Sequence, residues 1–237
     1  MDDQAQPTGS NTLPRAKLRG LSDDHAYLFP MAVFLIFVWV GGHWKSLYPA
    51  AYVARALVVA AMLWMMRAHY TRIRWNHWWL GIIVGVLGIF QWIGMQLWLE
   101  RHVEFFKPSP DVFNPMEVFK TSAGFWSFTT IRIIGAVLVV PFMEELFWRD
   151  YLWRSLSAPN DFKLAAVGER DWKSFLMVSG AFAVVHGNCW LTAIGWAMMV
   201  GWLLIATRSL GACIIAHAVT NLLLAGYVLH THEWTFW

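Results

Sequence analysis

Val139-Val140-Pro141-Phe142-Met143-Glu144-Glu145-Leu146-Phe147-Trp148-Arg149 is an apolar run interrupted by two adjacent carboxylates and an arginine. Even on the mildest insertion scale, an ionised carboxylate in hydrocarbon costs at least ~2.5–3.5 kcal/mol. A chain that accepts this cost twice in succession needs the carboxylates for something. Function is therefore read from what they face.

The rest of the chain makes that environment a membrane. Its 237 residues are 58% hydrophobic and 14% charged, where soluble domains carry about 25% charged residues. The mean hydropathy is +0.45. Several long apolar runs predict an all-α, polytopic transmembrane helix bundle of about seven spans, six to eight, at 26–42, 50–66, 78–99, 125–156, 172–189, 190–207 and 210–229. The fourth exceeds one crossing of ~20 residues. Pro141 is expected to kink it, and its last turns, around Arg149 and Arg154, to project into water. Trp39, Trp44, Trp78, Trp79, Trp98, Trp172, Trp190 and Trp237 fall at run ends, as aromatic belts require.

Residues 1–25 are polar and contain Pro, Ser, Gly and Asn, which predicts a disordered tail rather than a cleaved signal peptide. Residues 26–237 then form a single transmembrane domain. The net charge of +3 and the absence of a basic stripe outside the loops argue against a nucleic-acid partner. Cys189 and Cys213 make neither a disulfide framework nor a metal-ligand spacing.

Basic residues set the orientation. Arg15, Lys17 and Arg19 precede the first span. Arg67, Arg72 and Arg74 follow the second, Arg154, Lys163, Arg170 and Lys173 follow the fourth, and Arg208 follows the sixth. These fall on one side, so the N-terminus is expected in the cytoplasm. The connection 100–124 contains Asn114-Pro115-Met116-Glu117, a helix-start pattern that predicts a short interfacial helix.

Helical spacing groups the intramembrane polar residues. Glu145 and Arg149 are four apart, glutamate first, the favourable order for an ion pair. Glu144 lies about 100° round the helix and is left without an intrahelical partner. Phe182 and His186 share one face of the fifth span; His217 and Asn221 share one face of the seventh. Depth along the spans allows Glu144, His186, His217 and Asn221 to form one constellation. Arg55 and Arg132 lie near span ends and are expected to snorkel.

A carboxylate held away from bulk water serves as a general base toward water, and His and Asn supply donors for an oxyanion. Glu144, His186 and His217 are equally the ligand set of a hydrolytic zinc site. The cofactor stands open between none and a divalent metal such as zinc. No His-Glu-x-x-His occurs.

Together these residues resemble the CAAX prenyl endopeptidase and bacteriocin-processing (CPBP, or Abi) family of intramembrane proteases. Glu144, Glu145 and Arg149 match Glu-Glu-x-x-x-Arg, Phe182 and His186 match Phe-x-x-x-His, and His217 and Asn221 match His-x-x-x-Asn, in order, over about 125–229. The resemblance implies an intramembrane endopeptidase acting on a membrane-associated, lipidated or unlipidated, protein or peptide. Glu144 and His186 would activate water, His217 and Asn221 would stabilise the oxyanion, and Glu145, Arg149 and Phe182 would support the site. The competing readings are a non-catalytic scaffold or immunity protein and a proton-coupled transporter. The transporter reading lacks the expected repeat of broken helices.

Overall fold

Ser22 begins the first helix: its hydroxyl accepts from His25 N at 3.3 Å, and Asp23 and Asp24 occupy the first turn, where the helix dipole favours acid. In the computed structural model, which describes residues 20–108 and 112–237, α1 (Asp23–His43) thus starts inside the stretch expected to be tail. Of that expected tail, residues 1–19 lie outside the described residues.

The other helices are α2 (Tyr48–Met65), α3 (Trp78–His102), α4 (Pro115–Val118), α5 (Ser122–Ser157), α6 (Trp172–Val184), α7 (Trp190–Thr207) and α8 (Leu210–Thr231). The architecture is the expected all-helical membrane bundle. Among the described residues, six helices are long and apolar enough to cross a membrane. The segment 172–189 is not a full span. α6 has 13 residues, about 20 Å of axis against ~30 Å of hydrocarbon. It ends at Val184, and the chain turns back through Gly187, at φ +52, into α7. The expected fifth and sixth spans are therefore a hairpin with one short arm, and its turn carries His186.

α5 runs for 36 residues, capped by the Thr121 hydroxyl, which accepts from Gly124 N at 3.1 Å. It contains two π-helical stretches, Gly135–Val139 and Leu146–Leu152. In the first, Val140 N–H donates to Gly135 O, five residues back. The donor that would serve the next carbonyl, Ala136 O, belongs to Pro141, which has no N–H. The Asn221 side chain on α8 fills the gap: its Nδ2 donates to Ala136 O at 2.8 Å. Pro141 thus acts through a widened turn and a carbonyl handed to another helix.

The loops expected on one side do assemble at one end. Ser209 Oγ donates to Arg74 O and Asn76 O, Lys163 Nζ reaches Asp23, and Arg154 Nη2 donates to Lys163 O. Arg149 and Arg154 do not project into water; they are 1% and 5% exposed. Arg154 pairs with Asp150, four residues earlier, at 2.5 Å and donates to Ala165 O, while Tyr27 Oη donates to Asp150 Oδ2 at 2.7 Å. Beside this end, the Ser174 hydroxyl and the N-terminal amides of α6 hold the Asp171 carboxyl below the usual carboxylate range. At the opposite end, α4 forms as its cap predicts: Asn114 Oδ1 accepts from Met116 N at 3.0 Å.

α8 is held against α3 by small residues. A Cβ on Gly85 would lie 2.7 Å from Ala216 O and 2.7 Å from Val219 Cβ, so the two backbones meet only because this position is glycine. Thr220 Oγ1 donates to Gly85 O at 3.0 Å across the seam. Ala216 and Thr220 flank His217 and Asn221, so the close approach fixes the depth and rotation of those two side chains. Most of the expected belt tryptophans are outward-facing, Trp39 and Trp78 among them. Trp237 instead turns inward onto Arg132.

Candidate active site

α5, the α6–α7 hairpin and α8 bring all four expected site residues onto one cavity. A chamber of about 190 Å³ is lined by Glu144, His186, His217 and Asn221, with Phe182, Trp92, Trp196 and Thr220 completing its wall. Glu144 is 6% exposed, and its Oε2 is buried with no hydrogen-bond partner among the described residues. A buried polar atom left this way carries the desolvation cost without return.

The supporting residues make a chain of contacts. Glu145, fully buried, lies beside Arg149, with Nε 3.3 Å from Oε2. This contact is close enough for an ion pair but too oblique for a hydrogen bond, so Oε2 remains without one. The other oxygen, Oε1, is 2.8 Å from His217 Nδ1. An ionised carboxylate only accepts, so Nδ1 carries the proton and donates it. Nε2 is then the edge His217 offers to the cavity. Spacing along one helix gave the Glu145–Arg149 pair; it gave no sign that Glu145 also orients His217 from across the bundle.

The Arg149 guanidinium lies against two aromatic rings, its Cζ 4.8 Å from the Phe182 ring centre and 5.5 Å from that of Trp196. Its Nη atoms have no hydrogen-bond partner among the described residues, so the rings and Glu145 are what stabilise the charge. Phe182 also stacks on His186 at 4.2 Å and on Trp196 at 5.3 Å. Trp196 packs edge-on to His217 at 4.7 Å and donates from Nε1 to Thr220 Oγ1 at 3.2 Å. It touches His217 directly and reaches His186 through Phe182, yet no motif marks it. The available signal was a tryptophan in mid-span, away from either belt.

His186 Nδ1 is 2.6 Å from Phe182 O. A carbonyl cannot donate, so Nδ1 carries that proton and Nε2 is free. Both histidines thus have one nitrogen occupied by the scaffold and the other available to a reactant, as positioned imidazoles require. Asn221 spends one amide N–H on Ala136 O and keeps another.

Residues 126–223 match the model of the family described as Type II CAAX prenyl endopeptidase Rce1-like. All seven residues of the three motifs lie inside the match. Over this stretch the chain is similar to the CAAX-protease family. No curated protein and no solved structure matches the chain. The matched segment supplies the helices that carry the site, and α1 to α3, outside it, supply packing partners for them. One of these, Trp92 on α3, closes the chamber against His186 at 5.6 Å.

A metal ion does not fit the donors as they stand. Among the described residues no three His, Cys, Asp or Glu side chains converge as a metal site requires. Glu144, His186 and His217 share a cavity wall without meeting at a point.

The Pro141–Asn221 link yields a thermodynamic prediction. Asn221→Ala leaves Ala136 O unpaired and is expected to destabilise the bundle by about 1–3 kcal/mol. Pro141→Ala restores a backbone donor in α5, so the double variant should lose less than the sum of the singles. Thermal unfolding in detergent measures the four corners; strict additivity would break the link.

Proposed function

We propose that this chain is an intramembrane endopeptidase that hydrolyses a peptide bond of a membrane-associated protein or peptide, with Glu144 as the base. The family is a protease family, and the six apolar helices make the chain an integral membrane protein. The single observation that carries the reading is the buried Glu144 Oε2, without a hydrogen-bond partner among the described residues, on a cavity shared with two histidines whose Nδ1 atoms are held by the scaffold.

In the proposed sequence a water molecule lies between Glu144 and His186 Nε2. Glu144 takes one of its protons as the oxygen attacks the scissile carbonyl. The negative charge that develops on the carbonyl oxygen is met by the remaining Asn221 N–H and by His217, which enters and leaves the cycle as an imidazolium with both nitrogens protonated and Glu145 carrying the compensating charge at Nδ1. Glu144 then passes its proton to the departing amine as the C–N bond breaks. A carboxylic acid and an amine leave, and Glu144 returns to its ionised form. Expulsion of bulk water by the Phe182 and Trp196 walls strengthens each interaction.

The same basic-loop asymmetry that gathers at one end of the bundle supports a cytoplasmic N-terminus. The partners are membrane lipid and a membrane-bound protein or peptide substrate. The direct test is cleavage of membrane-anchored peptides by the purified protein, with and without chelator. Cleavage that survives chelation is expected, because the donors do not converge. Loss of cleavage on chelation, restored by zinc, would replace glutamate base catalysis with a metal-bound water.

A further inference from the structure

The chemistry proposed above leaves two cations unused. Arg132 was expected to snorkel, but it is 4% exposed, with its Cζ 4.6 Å from the Trp237 ring centre, 5.3 Å from that of Tyr52 and 5.4 Å from that of Tyr48. Arg55, part-buried on α2, has its Cζ 4.3 Å from Tyr52 and 4.6 Å from Phe34. Both guanidinium groups therefore lie against one ring, that of Tyr52, although they come from different helices. Ring contacts stabilise a cation but satisfy none of its N–H donors directionally. Among the described residues no carboxylate forms an ion pair with either arginine. Withdrawing a cation from water costs free energy that an anion normally offsets, and the described residues supply none in an ion pair with either arginine.

The cavity they line supplies the rest. Arg55 and Arg132 border a chamber of about 480 Å³ whose wall also includes Glu144, His186 and Asn221. That volume lies in the range of ligand sites, ~300–1,000 Å³. Arg132 precedes Glu144 by 12 residues on α5, roughly 18 Å of axis before side chains reach inward. An extended peptide advances ~3.3–3.6 Å per residue, so a few residues bridge the two groups. A ligand that touches both is a short chain with an anion at one end and a hydrolysable bond at the other.

We infer that Arg55 and Arg132 form an anion subsite that binds a carboxylate of the peptide substrate a few residues from the bond presented to Glu144. This rests on the proposed function. The carboxylate is either the peptide's own terminus or an acidic side chain; the guanidinium fork recognises both alike. Because the subsite is a fixed distance from Glu144 along α5, it selects where the peptide is cut as well as which peptide binds.

The test uses the full chain with Glu144→Gln, in nanodiscs of phosphatidylcholine, and an acylated fluorescent peptide with one acidic residue and a free terminus. Binding is compared with the amidated peptide, with the peptide whose acidic residue is replaced by its amide, and with both changes together. Neutralising the recognised carboxylate should weaken binding roughly 10–100-fold. Arg55→Gln and Arg132→Gln should each weaken the charged peptide and leave the neutralised one nearly unchanged. Arg132→Lys should retain part of the discrimination, and with Arg55→Gln it carries the test if Arg132→Gln does not fold. Equal affinity for charged and neutral peptides overturns the subsite. So does loss of discrimination when phosphatidylglycerol is added, because the arginines would then serve a lipid phosphate. Wild-type cleavage that ignores the carboxylate removes the subsite and keeps the protease; carboxylate-dependent binding with no cleavage of any peptide does the reverse.

Discussion

Glu144→Gln is expected to abolish peptide cleavage while leaving a folded protein in the membrane. The substitution preserves shape and removes the base. General-base assistance contributes roughly 10²–10⁴-fold, so residual turnover should fall by at least the lower end of that range. Stability should move the other way. Glu144 is 6% exposed and its Oε2 has no hydrogen-bond partner among the described residues. A neutral amide there removes the cost of a buried, unpaired charge, so the variant should unfold at the same temperature as the parent or higher. This is the pattern of a site whose residues are kept for chemistry at the expense of stability. The measurement pairs a cleavage assay with thermal unfolding of the same preparation. Full activity in Glu144→Gln would sink the mechanism. Inactivity with a collapsed melting temperature would reassign Glu144 to structure.

The largest stability effect is expected at Arg149. Its guanidinium lies 3.3 Å from Glu145 and against the rings of Phe182 and Trp196. Arg149→Met keeps much of the apolar stem and deletes the charge, leaving the fully buried Glu145 carboxylate with His217 as its remaining partner. Breaking a buried pair from one side typically costs about 3–5 kcal/mol, because the surviving charge is stranded. Glu145→Gln together with Arg149→Met removes both charges, and the double variant should recover much of that loss. The four proteins form a cycle measured by thermal unfolding in detergent. If the two losses simply add, the pair does not act as a clamp. Activity should not recover with stability in the double variant, since a glutamine amide oxygen still accepts from His217 Nδ1 but no longer supplies the negative charge that balances the imidazolium.

Local sequence was enough for the membrane bundle, the three motifs and the different surroundings of the adjacent glutamates, Glu145 against Arg149 and Glu144 away from it. Hydropathy and i, i+4 spacing are local quantities, and a helix converts them directly into faces and depths. That is why Glu145 with Arg149, Phe182 with His186 and His217 with Asn221 could be paired before any tertiary contact was known. It is also why a full fifth span is expected where α6 is short: an apolar run continues through Val184 and Val185 whether or not the helix does, and Gly187 takes a positive φ only because the hairpin closes there.

Whatever depends on two helices meeting arose only in the folded bundle. Glu145 orients His217, Asn221 answers the carbonyl that Pro141 orphans, Trp196 touches His217 and reaches His186 through Phe182, and Arg55 and Arg132 turn inward onto Tyr52 rather than out to the interface. These contacts join separate helices, and no periodicity within one segment encodes them. In a membrane the separate helices are already stable, and what selects their arrangement is close packing of small residues and the need of each buried polar atom for a partner. Among the described residues Glu144 Oε2 is one of the buried polar atoms that this selection left without a hydrogen-bond partner, and it is the carboxylate that lines the cavity with both histidines.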